Sequence, residues 1–574
     1  MRKLPAAVSL DARDAYPIRD LCLLLLAGAL LIGAGLGLRD PWAPDEPRYV
    51  LIARDMLASG HWLFPSRGGE IYADKPPLYF WMLALALGAT GSLRAAFLVP
   101  SLIASLVTLG LVHDIARRLW DARTGLVAGL LLLLTIQFTQ HAKAAHIDAT
   151  LCLWTTLSLY ALLRHLLLGP AWGWYAVAWL AAGLGIMTKG VGFLALFALI
   201  PYAFARMRGW RGIVRGGGWR WIAGSAALLL PIAEWLLPML YAVHASQSPE
   251  LTAYRDDILL RQTVTRYADA WGHLHPWWYF LVGVIPWFWL PITTLLPWLV
   301  PAWWRDLRAR DARTLLLLGV VVAIVVFFSV SAGKRGVYLL PAVPPLALAA
   351  APHVPALLAR RAVQRTLFGL TAFVAALLLG AAAYLRFGGQ ERIAALSVDY
   401  GLSPVLVVGV FAAIATLWLS AGPRRGALAL TGMLGSFWLA GSLWLYPALN
   451  PVRSAATLMR TVEGALAPDE QLGIVRYREQ FLLQATRPVT HFGYRRADTD
   501  DELRDAVAWL TAAPGRLLLV DDERLHQCFR ADGPRLIAFA SDHQWYLARA
   551  EDSNGTCSGG GSAYDAIIYV GSRR

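Results

Sequence analysis

Asp45 and Glu46 stand next to each other between Pro44 and Pro47, just after the first long apolar run of the chain. The same polar stretch closes on Asp74 and Lys75, followed by Pro76 and Pro77. Ionised side chains at hydrocarbon depth cost roughly 2.5–3.5 kcal/mol each on insertion scales, so they sit at an interface or in a cavity. A carboxylate can take a proton from a nucleophile or steady a positive centre. Neighbouring cations can receive the charge of a departing phosphate. Residues 39–80 are therefore the candidate active-site loop, with a short amphipathic stretch ending at Gly60. An interfacial loop of solvated charges is the plainer account of the same residues.

The elements that must position this loop are membrane spans. The chain has 574 residues, 16% of them charged, and a mean hydropathy of +0.49. Apolar runs of about twenty residues, enough to cross the hydrocarbon, recur through the first 450 positions. Thirteen are counted, beginning with 21–38, 93–113 and 125–138 and ending with 403–420 and 426–448. Leu21–Leu38, behind Arg2, Lys3, Arg13 and Arg19, reads as an uncleaved signal anchor. Pro77–Thr90 is too short for a span and suits a helix lying at the interface. Thirteen spans put Arg117, Arg118 and Arg123, the stretch Arg206–Arg220, Arg305–Arg313 and Arg424–Arg425 in the cytoplasm, as the positive-inside rule demands. The net charge of +14 is thereby explained without nucleic acid. A small set of basic residues remains on the disfavoured outer side, and anionic phosphate is a natural reason for them. Lys75, Arg266 and Lys334 stand out in that set, with Lys143, Lys189, Arg261 and Arg335 also in it.

Other outer segments carry further candidates. In His141–Asp148, Asp148 suits either the N-cap of the next helix or a substrate contact. Gly183–Gly192 is a tight turn whose glycines permit close helix approach, and its Lys189 reaches the headgroup level or snorkels there. It is not a nucleotide-binding loop, because it joins two apolar helices. His273 and His275 precede a Trp/Tyr cluster at 277–279; a metal at this pair would need a carboxylate from Asp45, Glu46 or Asp74. Lys334 and Tyr338 lie four apart and share a face if the turn is helical.

After residue 450 the pattern changes to short strands, at 472–475, 516–520, 536–539, 545–547 and 566–570, with an amphipathic helix over 501–510. The expected architecture is a polytopic helical membrane region over residues 1–450 and a small extracytoplasmic α/β domain over 451–574. Cys528 and Cys557 fall in the latter and could pair there. Ser558–Ser562 reads as a loop.

An acidic pair after the first span, Asp-Lys-Pro-Pro, Gly-x-x-x-x-Thr-Lys-Gly, Arg-Tyr with Gly-His-x-x-Pro-Trp, and Gly-Lys-x-x-x-Tyr-x-x-Pro occur here in that order. As an ordered set they resemble the C-type membrane glycosyltransferases that use polyprenyl-phosphate sugars, closest to the lipid A aminoarabinose transferases within the protein O-mannosyltransferase-like superfamily. The resemblance implies a transmembrane bundle with two juxtamembrane helices in the first outer loop. It implies transfer of a sugar from undecaprenyl phosphate at the outer face of the bacterial inner membrane, to lipid A phosphate or to another glycan or protein acceptor. By the same resemblance Asp45 is the key carboxylate with Glu46 beside it. Tyr49, Lys75, Asp148, Lys189, Arg261, Arg266, Lys334 and Tyr338 would contact substrate, and Asp74 with His273 would hold a divalent metal, Zn or Mg/Mn. No nucleotide cofactor is implied. Two departures bear on the metal and on sugar choice: Asp74 stands where relatives often have Glu, and Gln262 where they tend to have Glu.

A transporter of lipid-linked sugars would be equally apolar and basic. It would show internal repeats and broken helices with polar groups at the midplane. In this chain no repeat is evident and the polar groups gather at one face.

Overall fold

The computed structural model describes residues 17–260, 274–388, 390–494, 499–557 and 566–571. The chain is a multi-span membrane protein. Among the described residues seven helices are long and apolar enough to cross a bilayer, and two more pairs, Ala122–Leu134 with Ile136–Ala142 and Phe280–Phe288 with Ile292–Arg308, are bent within a span-length run.

The first helix, α1 (Pro17–Gly33), stops five residues before the end of the expected 21–38 run. Gly35 and Gly37 take φ of 87° and 80°, which an L side chain resists. Lys143 completes the stop: its Nζ donates to the carbonyls of Leu31, Ile32 and Ala34 at 2.7, 3.0 and 3.1 Å. A cation on the carbonyl end of a helix also offsets its partial negative charge. This basic residue of the outer side thus serves a helix end.

The candidate active-site loop holds two helices, α2 (Asp45–Ser59) and α3 (Leu78–Thr90), as the resemblance implies. Between them runs a short hairpin, β1 (Ser66–Arg67) with β2 (Glu70–Ile71). Tyr49 packs edge-on against Tyr79 at 5.5 Å between ring centres, locking α2 onto α3. The amphipathic reading of α2 needs correction. Apart from Arg48, every residue from Glu46 to Met56 is buried, because its polar side faces protein and not water.

What covers that side is the C-terminal domain. Its mixed six-stranded sheet has the order β6–β7–β5–β3–β4–β8, built from β3 (Gln471–Ile474), β4 (Val489–His491), β5 (Arg516–Asp521), β6 (Arg535–Ala540), β7 (His543–Ala548) and β8 (Ile567–Tyr569). Only β3 is parallel to its neighbours β4 and β5; the other pairs are antiparallel. Five of the six strands lie where alternation and β-branching place them. The three-residue β4 is too short to read against turn signals. Cys528 and Cys557 are joined in a disulfide. Residues 558–562 lie outside the described set.

Domain and loop are fastened by buried polar contacts. Arg54 donates to the carbonyls of Leu482 and Leu483 at 2.8 Å and to the Tyr569 hydroxyl at 3.0 Å. Glu479 accepts from Arg48 at 2.8 Å and is also ion-paired with Arg67. His491 Nε2 lies 2.7 Å from the Gly68 carbonyl. Asp55 accepts from the Tyr569 hydroxyl at 2.6 Å and from Gly68 N–H at 2.9 Å. Burial pushes the Asp55 carboxyl up to about 6 against these donors. A carboxyl raised on folding stabilises most below its unfolded value, and that contribution fades as pH rises through about 6, by at most about 3 kcal/mol. The seam should therefore tighten on going from pH 7.5 to 5.5. Higher amide protection in residues 45–59 at the lower pH, after correction for the intrinsic pH dependence of exchange, is the expected result, and Asp55→Asn should flatten the dependence.

Candidate functional site

The site begins at the cis Ala43–Pro44 peptide, after which α2 starts at once with Asp45. Its two acids part company there. Glu46 turns inward. Its carboxylate takes two parallel bonds from the Arg39 guanidinium, at 2.5 and 2.8 Å, and accepts the backbone N–H of Trp42 at 2.8 Å and of Ala145 at 3.0 Å. Burial alone would raise this carboxyl, but Arg39 and the two amides more than reverse that and hold it below its usual range. The expectation that Glu46 is catalytic is corrected on this ground: its oxygens are used, and it is 4% exposed. Removing Arg39 leaves a buried charge unpaired, so Arg39→Ala should cost about 3–5 kcal/mol of stability. Thermal denaturation in detergent measures it. Because the folded carboxyl is depressed, this stabilisation holds at neutral pH and is lost only as pH falls through the folded value.

Beside this pair, Asp40 accepts from Arg94 at 2.7 Å, Asn450 at 2.8 Å and Ser454 at 3.1 Å. It ties the loop entrance to the end of the last apolar run, Pro423–Ala465. Asp45 is thus presented from a rigid frame.

Asp45 turns the other way. Its carboxylate meets Arg335 at 3.2 Å and Arg48 at 3.6 Å, and its side chain is 14% exposed. A second acid–base pair lies alongside. Asp148, in the first turn of Ile147–Leu168, is ion-paired with Lys189, the last residue of Trp172–Lys189. Arg335 feels both Asp45 and Asp148 electrostatically. Lys189 Nζ also lies over the Tyr338 ring, 4.9 Å from its centre. The sharp turn after Lys189 depends on glycine: Gly190 takes φ 82°, and a Cβ at Gly192 would overlap the backbone of Gly185 and Ile186. Tyr49 is buried at the floor. Burial, with Asp45 and Asp148 near, holds its phenol well above the usual range, so it stays a protonated donor.

Asp45, Tyr49, Asp148, Lys189 and Tyr338 therefore gather as expected, with two corrections. Asp148 is not a helix cap, since His146 holds that position in extended backbone and Asp148 is spent on Lys189. Lys334, expected to contact the lipid phosphate, is not the cation that meets Asp45. It is 3% exposed, and its Nζ donates to the carbonyls of His275, Ser331 and Ala332 at 2.8, 2.5 and 3.5 Å. Its neighbour Arg335 takes that place. Lys334 and Tyr338 do not share one helical face, because the turn Gly336–Ala342 starts only after Lys334.

Two histidines complete the cluster. His141 Nδ1 and His146 Nδ1 are 3.3 Å apart, within electrostatic reach of Asp148, Lys189 and Arg335. The segment is conspicuous in sequence, but the pairing depends on a bend that spacing does not reveal. Lys75 and Asp74 sit on the rim, where Lys75 Nζ donates to the Asp74 carbonyl at 2.9 Å. Arg261, Arg266 and His273 lie outside the described residues. Asp74 is exposed, and among the described residues no trio of metal-ligating side chains gathers around it. His275 instead stacks flat on Tyr279 at 4.2 Å.

Several known proteins are similar to this chain. Residues 74–237 match the family model of the dolichyl-phosphate-mannose-protein mannosyltransferases. An undecaprenyl phosphate-α-4-amino-4-deoxy-L-arabinose arabinosyl transferase of Pseudomonas fluorescens is 33% identical over 334 residues, 57% of this chain and 58% of that protein. One from Pseudomonas aeruginosa is 33% identical over 344 residues, 58% and 59% of the two chains. The chain thus spans about three fifths of the length of these relatives. The crystal structure of ArnT from Cupriavidus metallidurans in the apo state superposes with a TM-score of 0.71 at 20% identity, covering 94% of this chain and 99% of that one. The same protein bound to undecaprenyl phosphate gives 0.71 at 20%, covering 93% and 98%. These superpositions show the fold.

Proposed function

We propose that this chain belongs with the membrane glycosyltransferases that include the lipid A aminoarabinose transferases and the protein O-mannosyltransferases, and that it moves a sugar from undecaprenyl phosphate to lipid A. The donor is a 4-amino-4-deoxy-L-arabinose-type sugar and the acceptor a lipid A phosphate. The observation that carries the proposal is the convergence of two carboxylate–cation pairs, Asp45–Arg335 and Asp148–Lys189, under the first outer loop. One solved relative of the same fold is described as bound to undecaprenyl phosphate.

The chemistry follows from charge. The bond from the anomeric carbon to the donor phosphate oxygen breaks, and undecaprenyl phosphate leaves with the electron pair. Arg335 and Lys189, already held near carboxylates, receive that charge with little reorganisation. A lipid A phosphate oxygen forms the new bond and needs no base. Asp45 then steadies the positive anomeric centre. With a hydroxyl acceptor the same carboxylate would take its proton.

The membrane reading completes the proposal. The nine candidate spans, together with α1, Trp172–Lys189, Gly192–Met207 and Gly336–Ala350, supply one apolar helical element for each of the thirteen expected spans. On that count the N-terminus lies in the cytoplasm of a bacterial cell, residues 1–450 cross the inner membrane and residues 451–574 form a periplasmic domain. A divalent ion at Asp74 and His273 takes no step in this chemistry. Its test is chelation, and unchanged rates in chelator count against it.

The deciding experiment expresses the protein in a polymyxin-sensitive strain lacking its own aminoarabinose transferase and takes mass spectra of lipid A. A pentosamine-sized gain that Asp45→Asn abolishes is the expected outcome. A different sugar mass would keep the transfer and change the donor. Unmodified lipid A from a correctly inserted protein would overturn the acceptor, and no sugar transfer from any polyprenyl-phosphate donor would overturn the class.

A further inference from the structure

A second cluster of ligand-type side chains lies in the C-terminal domain, away from the loop. Asp521 ends strand β5, Glu523 follows in the short helix Asp522–Cys528, and His543 begins strand β7. One ligand atom from each lies within 4.8 Å of the other two.

The cluster is more than a group of surface acids. Asp521 is 1% exposed, and among the described residues its buried Oδ1 has no hydrogen-bond partner, while Oδ2 accepts from Arg476 Nη1 at 3.2 Å. A buried carboxylate oxygen left unpaired is costly, and such atoms call for a reason. The same Arg476 nitrogen bonds Glu523 Oε2 at 2.6 Å, leaving Oε1, which lies 3.9 Å from His543 Nδ1. His543 Nδ1 is 3.2 Å from Asp522 Oδ1. One oxygen of each acid is thus engaged by Arg476, and Glu523 Oε1 lies near the His543 imidazole.

We propose that Asp521, Glu523 and His543 form a binding site for a divalent transition-metal ion of the zinc class. One imidazole nitrogen and two carboxylate oxygens, with water in the fourth position, is a donor set that zinc and cobalt accept. Ligand bonds of about 2.0–2.2 Å require the three ligand atoms, now within 4.8 Å of one another, to draw closer. Arg476 keeps the outer oxygens and balances the charge. The ion would fasten the β6–β7 hairpin to β5. That hairpin carries Asp542, which accepts from Tyr400 at 2.6 Å and Arg453 at 3.2 Å. The metal would therefore fix the point where the domain meets helices Gln390–Tyr400 and Tyr446–Arg453.

The test uses the full-length protein in detergent, stripped with chelator, reloaded with Zn2+ and desalted for metal analysis, with Co2+ absorption as a spectroscopic check. The wild type should retain one equivalent more than Glu523→Gln and His543→Ala, with apparent affinity weakened in each at least about tenfold, since even outer-shell losses cost that much. The Glu523 side chain is 58% exposed, so Glu523→Gln should fold normally. Asp74→Asn should keep the extra equivalent, which separates this site from the loop. Equal metal content in wild type and both variants, or none in any, would overturn the proposal.

Discussion

Asp45→Asn should lower the rate of sugar transfer by roughly two to four orders of magnitude, the range for losing a positioned carboxylate from the transition state. It should do so with almost no loss of thermal stability. The Asp45–Arg335 pair is partly open, with side chains 14% and 43% exposed, and pairs of that kind contribute little to folding. Glu46→Gln, one position along, should behave the opposite way: a destabilised protein whose surviving fraction still transfers sugar. Initial rates with a polyprenyl-phosphate sugar, set beside melting curves in the same detergent, separate the two. An Asp45→Asn protein of wild-type rate would remove Asp45 from the mechanism.

A second contrast, between Lys334 and Arg335, is nearly as large. Arg335→Ala removes a preorganised donor from the departing phosphate, so kcat/KM should fall roughly 10²–10³-fold. Arg335→Lys should recover part of it, because lysine supplies charge without the planar fork. Lys334→Ala acts through structure. Its ammonium holds three backbone carbonyls of the 275 and 331–332 segments, so activity and melting temperature should fall together. A Lys334 variant that kept full stability and lost only donor binding would make Lys334 the phosphate-binding cation and Arg335 the structural one.

Much of the fold was legible along the chain. Apolar run length marks spans wherever it is found, Leu78–Thr90 announced itself by its prolines and a length unfit for crossing, and a second helix in the same loop followed from the family resemblance. Five strands of the C-terminal sheet showed by the pattern of their residues, Arg516–Asp521 and Ile567–Tyr569 as short apolar runs. Val489–His491 did not, since three residues hold too little pattern. The seam between that sheet and α2 was invisible. Arg48, Arg54, Asp55 and Arg67 look like solvent-facing charges until the partners supplied by Glu479, Tyr569 and two main-chain carbonyls are in place.

By itself the sequence singled out the stretches that the fold brings together: the acidic loop, His141–Asp148, the turn at Lys189 and Ser331–Tyr338. Those follow from local quantities, hydropathy, charge and proline or glycine, that one residue's neighbours in the chain decide. Only the tertiary structure decided which member of each adjacent pair does the work. Neighbouring residues on a helix point about 100° apart, so Asp45 opens to Arg335 while Glu46 is buried against Arg39. At the other segment the backbone sends Lys334 into carbonyls and Arg335 toward the acid. Direction at that scale is set by what packs against the chain from hundreds of residues away, and for Asp45 that partner is Arg335.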